Sequence, residues 1–254
     1  MTRAIECFGR WVLFVREFLG TLHAFKKRAG VFVHQCAIIG VGSWMVTAAG
    51  AIFLGAVLGY QLYISLHRFG AEALLGGTVG MTLFRELGPV MAALMVTGRA
   101  GASMAAELAS MCVSEQVDAL KVMGVDVVEL LVMPRVLAGV CMLPLLAILF
   151  CILATISAFL IATYVMGLQG AVFWSHFFHI VDPIELTHCI VKASVFGLGI
   201  TLIGCFCGLS AYGGAKAVGN AARNTVVASS LMILGVDYIV TSFLPLGLKS
   251  LRVM

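Results

Sequence analysis

The chain has 254 residues, of which 61% are hydrophobic and 11% charged, with a formal net charge of +4 and a mean hydropathy of +1.08. A soluble domain carries about 25% charged residues and a disordered chain is poor in apolar ones, so both classes are excluded. What is left is an all-α membrane protein, read as a single domain over 1–254; with no long basic run interleaved with aromatics, nucleic acid is not an expected partner.

Residues 3–28 are expected to form an amphipathic helix lying in the membrane interface. At 100° per residue, Arg3, Glu6, Arg10, Arg16, Glu17, Lys27 and Arg28 fall on one side. Ile5, Phe8, Trp11, Val15, Phe18, Leu22 and Phe25 fall on the other, the pattern of a cationic face opposite an aromatic one. A cleaved signal peptide fits less well, because Arg10, Arg16 and Glu17 interrupt the apolar stretch and no small-residue cleavage site follows. From Ala29 to His67 there are 39 residues without Asp, Glu, Lys or Arg, enough for one span plus an apolar lead-in, so 1–43 is read as interfacial helix and lead-in.

Five spans are expected within 44–254: near 44–66, 87–111, within 136–166, near 193–213 and near 226–248. Gly55 and Gly59 in the first, and Gly204 and Gly208 in the fourth, offer close-packing faces. With the N-terminus inside, ten Lys and Arg fall on inner segments and five on outer ones, which places the N-terminus in the cytoplasm. The eight cysteines lie mostly in apolar runs, without a Cys-x-x-Cys pair, and read as reduced.

Two stretches carry candidate chemistry. Arg85-Glu86-Leu87-Gly88-Pro89 reads as a helix start that leaves Glu86 at the outer mouth of span two. A double row of small residues follows, Gly98, Ala102, Ala106 beside Gly101, Ala105, Ala109. Arg99 and Glu107 are two turns apart and both turn away from lipid, and a structural ion pair between them is the plain reading. The second stretch, Ser114 to Asp126, predicts a short cytoplasmic helix over about 114–124, N-capped by Ser114 and stopped by Gly124. Too short to stand alone in water, it either rests on its own chain or docks into a groove of a soluble partner.

These residues resemble the MlaE (YrbE) permease family. Glu86-Leu87-Gly88-Pro89, Gly98-Arg99-Ala100-Gly101-Ala102, Ala105-Ala106-Glu107-Leu108, Glu115-Gln116-x-Asp118-Ala119-Leu120-x-x-Met123-Gly124-Val125-Asp126 and Pro134-Arg135 match in order. Ser210-x-x-Gly213-Gly214-Ala215-x-x-Val218-Gly219, Thr225-Val226-Val227 and Asp237-Tyr238 extend the match over roughly 30–250. The resemblance implies the membrane subunit of an ABC-type phospholipid transporter in a bacterial inner membrane. It implies as partners a separate ATPase, an MCE-domain lipid-binding protein, an accessory STAS-domain subunit and a second copy of the chain. It further implies an ATPase-coupling role for Glu115, Gln116, Asp118, Ala119, Leu120 and Met123, and a lipid pathway bordered by Glu86, Leu87, Pro89, Leu94, Arg99 and Asp237. Cys112, Val127, Lys216 and Asn220 depart from the family pattern, where many relatives carry Arg, Pro, Glu and Arg.

No Gly-x-x-x-x-Gly-Lys-Ser/Thr loop is present, so the energy source is expected on a partner, and no catalytic residues or cofactor are assigned. His176, His179 and His188 beside Asp182 and Glu185 raise a metal reading, but spacing fixes no third ligand and no metal is assigned. Two rival functions stay open at this level. One is an ion-gradient-driven secondary transporter using Asp237, Glu107 and Lys216 as a relay, and the other a membrane-embedded lipid-modifying enzyme.

Overall fold

The computed structural model of the chain describes residues 2–21 and 29–251. Among these residues there is no strand, and five helices are long and apolar enough to cross a membrane: span one (Gly30–His67), span two (Glu72–Val113), span three (Val128–Val165), span four (Pro183–Leu209) and span five (Gly214–Phe243). All five expected spans are present, but most are longer than expected. The apolar lead-in before residue 44 is continuous helix with span one, and span two begins fifteen residues before position 87. Several spans contain a π-helical turn, at Ala37–Val41, Leu83–Leu87, Thr97–Gly101, Val128–Val132 and Ile161–Val165. Such turns insert one residue into the helical register and recur at functional sites.

Gly88-Pro89 therefore does not start a helix. Gly88 N–H bonds to Leu83 O, five residues back, and Pro89 follows within the same continuous span. The widened turn ends directly before Gly88-Pro89, where the Pro ring and missing N–H would kink a regular helix.

The chain divides into two compact units, and it passes from one to the other within helices. The first comprises residues 1–42, 96–142 and 196–233. Its opening helix, Thr2–Thr21, buries Phe18 and sets Trp11 and Phe14 against Phe206, with ring centroids 5.2 and 5.7 Å away. Arg10, Arg16 and Glu17 are exposed, as the expected amphipathic pattern requires, while the expected contacts of Ile5, Phe8, Leu22 and Phe25 lie outside the described side chains. Small residues let the helices of this unit approach closely. A Cβ on Gly197 would stand 2.5 Å from Gly139 O, and one on Gly208 would stand 3.0 Å from Ala105 O.

The second unit comprises 43–95, 143–195 and 234–254. Its core is a cluster that includes Leu75, Val79, Leu83, Phe150, Phe173 and Phe177. Gly59 of span one lies against Ala158 of span three, where an added Cβ would come within 2.9 Å of the Ala158 Cα. Ser157 Oγ donates to Ile52 O at 2.7 Å, closing the same pair of helices. The Gly55–Gly59 face is thus used between spans one and three, and the Gly204–Gly208 face between spans four and two.

Candidate functional site

Three spans of the second unit meet at one buried ammonium. The Lys192 side chain on span four is 1% exposed, and its Nζ donates to Glu86 Oε2 at 2.5 Å and to Asp237 Oδ1 at 3.0 Å. Glu86 comes from the π-helical turn of span two and Asp237 from span five. Thr241, one turn beyond Asp237, donates its hydroxyl to the Asp237 carbonyl at 2.8 Å and lies 3.3 Å from Glu86 Oε2. A charge inside a membrane-spanning helix is costly unless paired, and Lys192 has two carboxylates for that purpose. Glu86 at 36% and Asp237 at 23% exposure remain partly open, so the carboxylate charge left over after pairing with Lys192 can be hydrated or met by a polar group.

Glu86 is therefore inside span two, not at its mouth as expected from the sequence. Of the other residues assigned to a lipid pathway, Leu87 packs against the buried cluster of the second unit, Pro89 is buried and Leu94 half-buried. Sequence reasoning missed Lys192, counting it among outer-segment cations. A signal was present, since Lys192 is the one charged residue between Glu185 and Lys216, and an isolated charge in an apolar helix calls for a distant partner. His188, one turn before Lys192, is 4% exposed, whereas His176 and His179 lie on the separate helix Gly170–Ile180.

The first unit corrects the expected Arg99–Glu107 pair. Glu107 takes Arg135 of span three as its cation, Arg135 Nη2 to Glu107 Oε1 being 2.8 Å. Arg99 instead donates Nη1 to Ile38 O at 3.2 Å, and its guanidinium lies where a Cβ on Gly42 would be. Residues 99 and 107 are two full turns apart along one helix, about 12 Å of rise, too far for their side chains to pair directly.

The expected short helix is present as Gln116–Val122 in the same unit. Ser114 does not cap it: its hydroxyl donates back to Ser110 O at 2.8 Å, prolonging the end of span two, and Glu115 makes the turn in the left-handed region (φ 60°). The stop at Gly124 is as expected, with φ 73° and Val125 N–H bonding to Leu120 O at 3.1 Å. Val117 is 4% exposed and Leu120 half-buried, and Glu115, Gln116, Asp118 and Ala119 are exposed. Val122 at 89% and Met123 at 75% exposure present bare apolar surface. Asp118 accepts from Lys121 Nζ at 3.0 Å and holds that ammonium above its ordinary pKa.

A family model described as permease MlaE matches residues 32–243. A probable ABC transporter permease protein of Rickettsia felis is 41% identical over 83% of this chain and 82% of its own length. The intermembrane phospholipid transport system permease protein MlaE of Haemophilus influenzae is 34% identical over 86% of this chain and 84% of its own. The chloroplastic protein TRIGALACTOSYLDIACYLGLYCEROL 1 of Arabidopsis thaliana is 34% identical over 75% of this chain and 55% of its own. With a family model spanning most of the sequence and a helical, multi-pass fold beneath it, this chain belongs to the MlaE permease family.

Proposed function

We propose that the chain is the membrane subunit of an ABC-type system that carries phospholipid across or between envelope membranes, acting as a pair of copies and driven by a separate ATPase. The observation that carries the reading is the Gln116–Val122 helix. It is anchored through Val117 and partly through Leu120, yet Gln116, Asp118, Ala119, Lys121, Val122 and the neighbouring Met123 are exposed. A connector resting on its own chain would bury Val122 and Met123, so their exposure favours a partner's groove. The phospholipid cargo is supported by the name and the 34% identity of the Haemophilus influenzae relative.

In this reading the helix of residues 115–123 faces the cytoplasm and transmits nucleotide-driven closure of the ATPase to the spans, biasing two packings of the same helices. Glu86 and Asp237 offer carboxylate oxygens beside the lipid pathway, with Leu87, Pro89 and Leu94 of span two supporting it. Arg99 serves as the tie between Ile38 and span two. An MCE-domain protein exchanges lipid on the outer side, and a STAS-domain subunit accompanies the ATPase. The test is charge reversal at Glu115 and Asp118, to Lys at both. Both side chains are exposed, so the double variant is expected to fold and insert normally while transport by the reconstituted complex falls to background. Unchanged transport would sink the docking assignment.

A further inference from the structure

Beside the coupling helix lies a half-open cavity of about 260 Å³, between that helix, the end of span two and the turn joining spans four and five. We propose that it is a socket for one arginine side chain of the ATPase subunit, an inference that rests on the docking reading above. Its volume lies just below the range of about 300 to 1,000 Å³ for pockets that take whole small molecules, and one long side chain fills it.

Its chemistry points to arginine. The buried Val117 and Ala211 and the neighbouring Leu209 give an apolar floor suited to the methylene stem of a long side chain. The rim carries Glu115, Asp118, Lys121 and Tyr212. Asp118 and Lys121 neutralise each other at 3.0 Å, which leaves the Glu115 carboxylate as the net charge of the site. Among the described residues Glu115 forms no ion pair. Tyr212 lines the cavity and is 83% exposed. A guanidinium can fork onto one carboxylate while its plane stacks on a tyrosine, a combination that a lysine ammonium cannot reproduce. A lipid surface as occupant is disfavoured by the same net negative charge, because the cytoplasmic membrane surface itself carries a negative potential.

The experiment uses the full chain assembled with its ATPase in detergent, carrying a photo-crosslinking residue either at Tyr212 or at Val122, which lies on the coupling helix but does not line the cavity. Irradiation and peptide mapping are expected to join Tyr212 to an ATPase peptide containing an arginine within reach. Glu115→Arg is then expected to lower the ATPase retained on the purified chain about tenfold, and the reciprocal Arg→Glu in the mapped peptide to restore it. Glu and Arg meet the same strain at a left-handed position, so the swap isolates charge from backbone. Crosslinking from Val122 without crosslinking from Tyr212 overturns the socket and leaves the docking reading standing. A Tyr212 crosslink to a peptide without arginine, or failure of the reciprocal swap to restore binding, also overturns it. Absence of crosslinks from both positions removes the docking reading and the socket with it.

Discussion

Lys192 is the residue on which the second unit depends most sharply. Its ammonium holds two carboxylates from spans two and five, and removing it leaves two like charges near one another in a place only partly open to water. Lys192→Met is expected to destabilise the purified protein by about 3 kcal/mol, at the low end for a broken buried pair because Glu86 and Asp237 are partly open to water. The triple variant Lys192→Met, Glu86→Gln, Asp237→Asn removes the charge conflict as well as the charges. Thermal unfolding in detergent is expected to return close to the wild-type midpoint, because neutral packing of similar volume replaces a buried ion pair with little net cost. Lipid transport by the triple variant then separates the two roles. Normal stability with lost transport assigns the triad to the lipid pathway, whereas normal stability with normal transport confines it to holding helices. Restored transport without restored stability would contradict the electrostatic account itself.

At the level of elements, close approach governs more than hydrophobic matching, because lipid offers helices no hydrophobic reason to leave it. A clear example in the first unit is Gly197 of span four, which lies on Gly139 of span three so that a Cβ would stand 2.5 Å from a backbone oxygen. Gly197→Ala is expected to cost about 1–3 kcal/mol, since backbone cannot rotate away as a side-chain tip can. Gly219→Ala, with nothing within 4 Å of its Cβ, serves as the comparison and is expected to hold or slightly gain helical stability. Equal unfolding midpoints for the two variants would rule out backbone contact as the glue of that helix pair. The glycine faces were legible in the sequence, as were the number of spans, the amphipathic opening helix and the glycine stop at position 124. Span starts were not, and the reason is physical. Arg85, Glu86 and Lys192 look like loop residues to any rule that charges a helix for each ion, yet the pairing of Lys192 with Glu86 and Asp237 across 106 and 45 positions of sequence lifts most of that charge. Helical periodicity reports only neighbours on one helix, which is also why Arg99 and Glu107 looked like a pair and Arg135 went unseen. Ser114 misled in a local way, its hydroxyl having a competing acceptor one turn back at Ser110.

For the molecule as a whole, the corrected spans strengthen the orientation argument while reducing the residues it uses. Arg85, Arg135, Lys192, Lys216 and Arg223 now belong to spans, so they no longer vote. The remaining basic residues before span one and in the loop between spans two and three number seven, against three in the loop after span one and beyond span five. The ratio of inner to outer basic residues thus rises even as the count falls, and the N-terminus is expected in the cytoplasm. The coupling helix shares that side, because an even number of spans separates the two. This gives a test independent of the partner. A phosphatase reporter that needs an oxidising compartment to form its disulfides is expected to be active when fused after Arg68, in the loop following span one, and inactive when fused after Gly124. The inverse pattern would place Glu115 to Met123 outside the cell membrane, out of reach of any cytoplasmic ATPase, and would remove the energy source from the proposed transport cycle. The expected pattern leaves an odd number of spans with span five largely unburied in the single chain, a helix whose open face a second copy related by two-fold symmetry can cover.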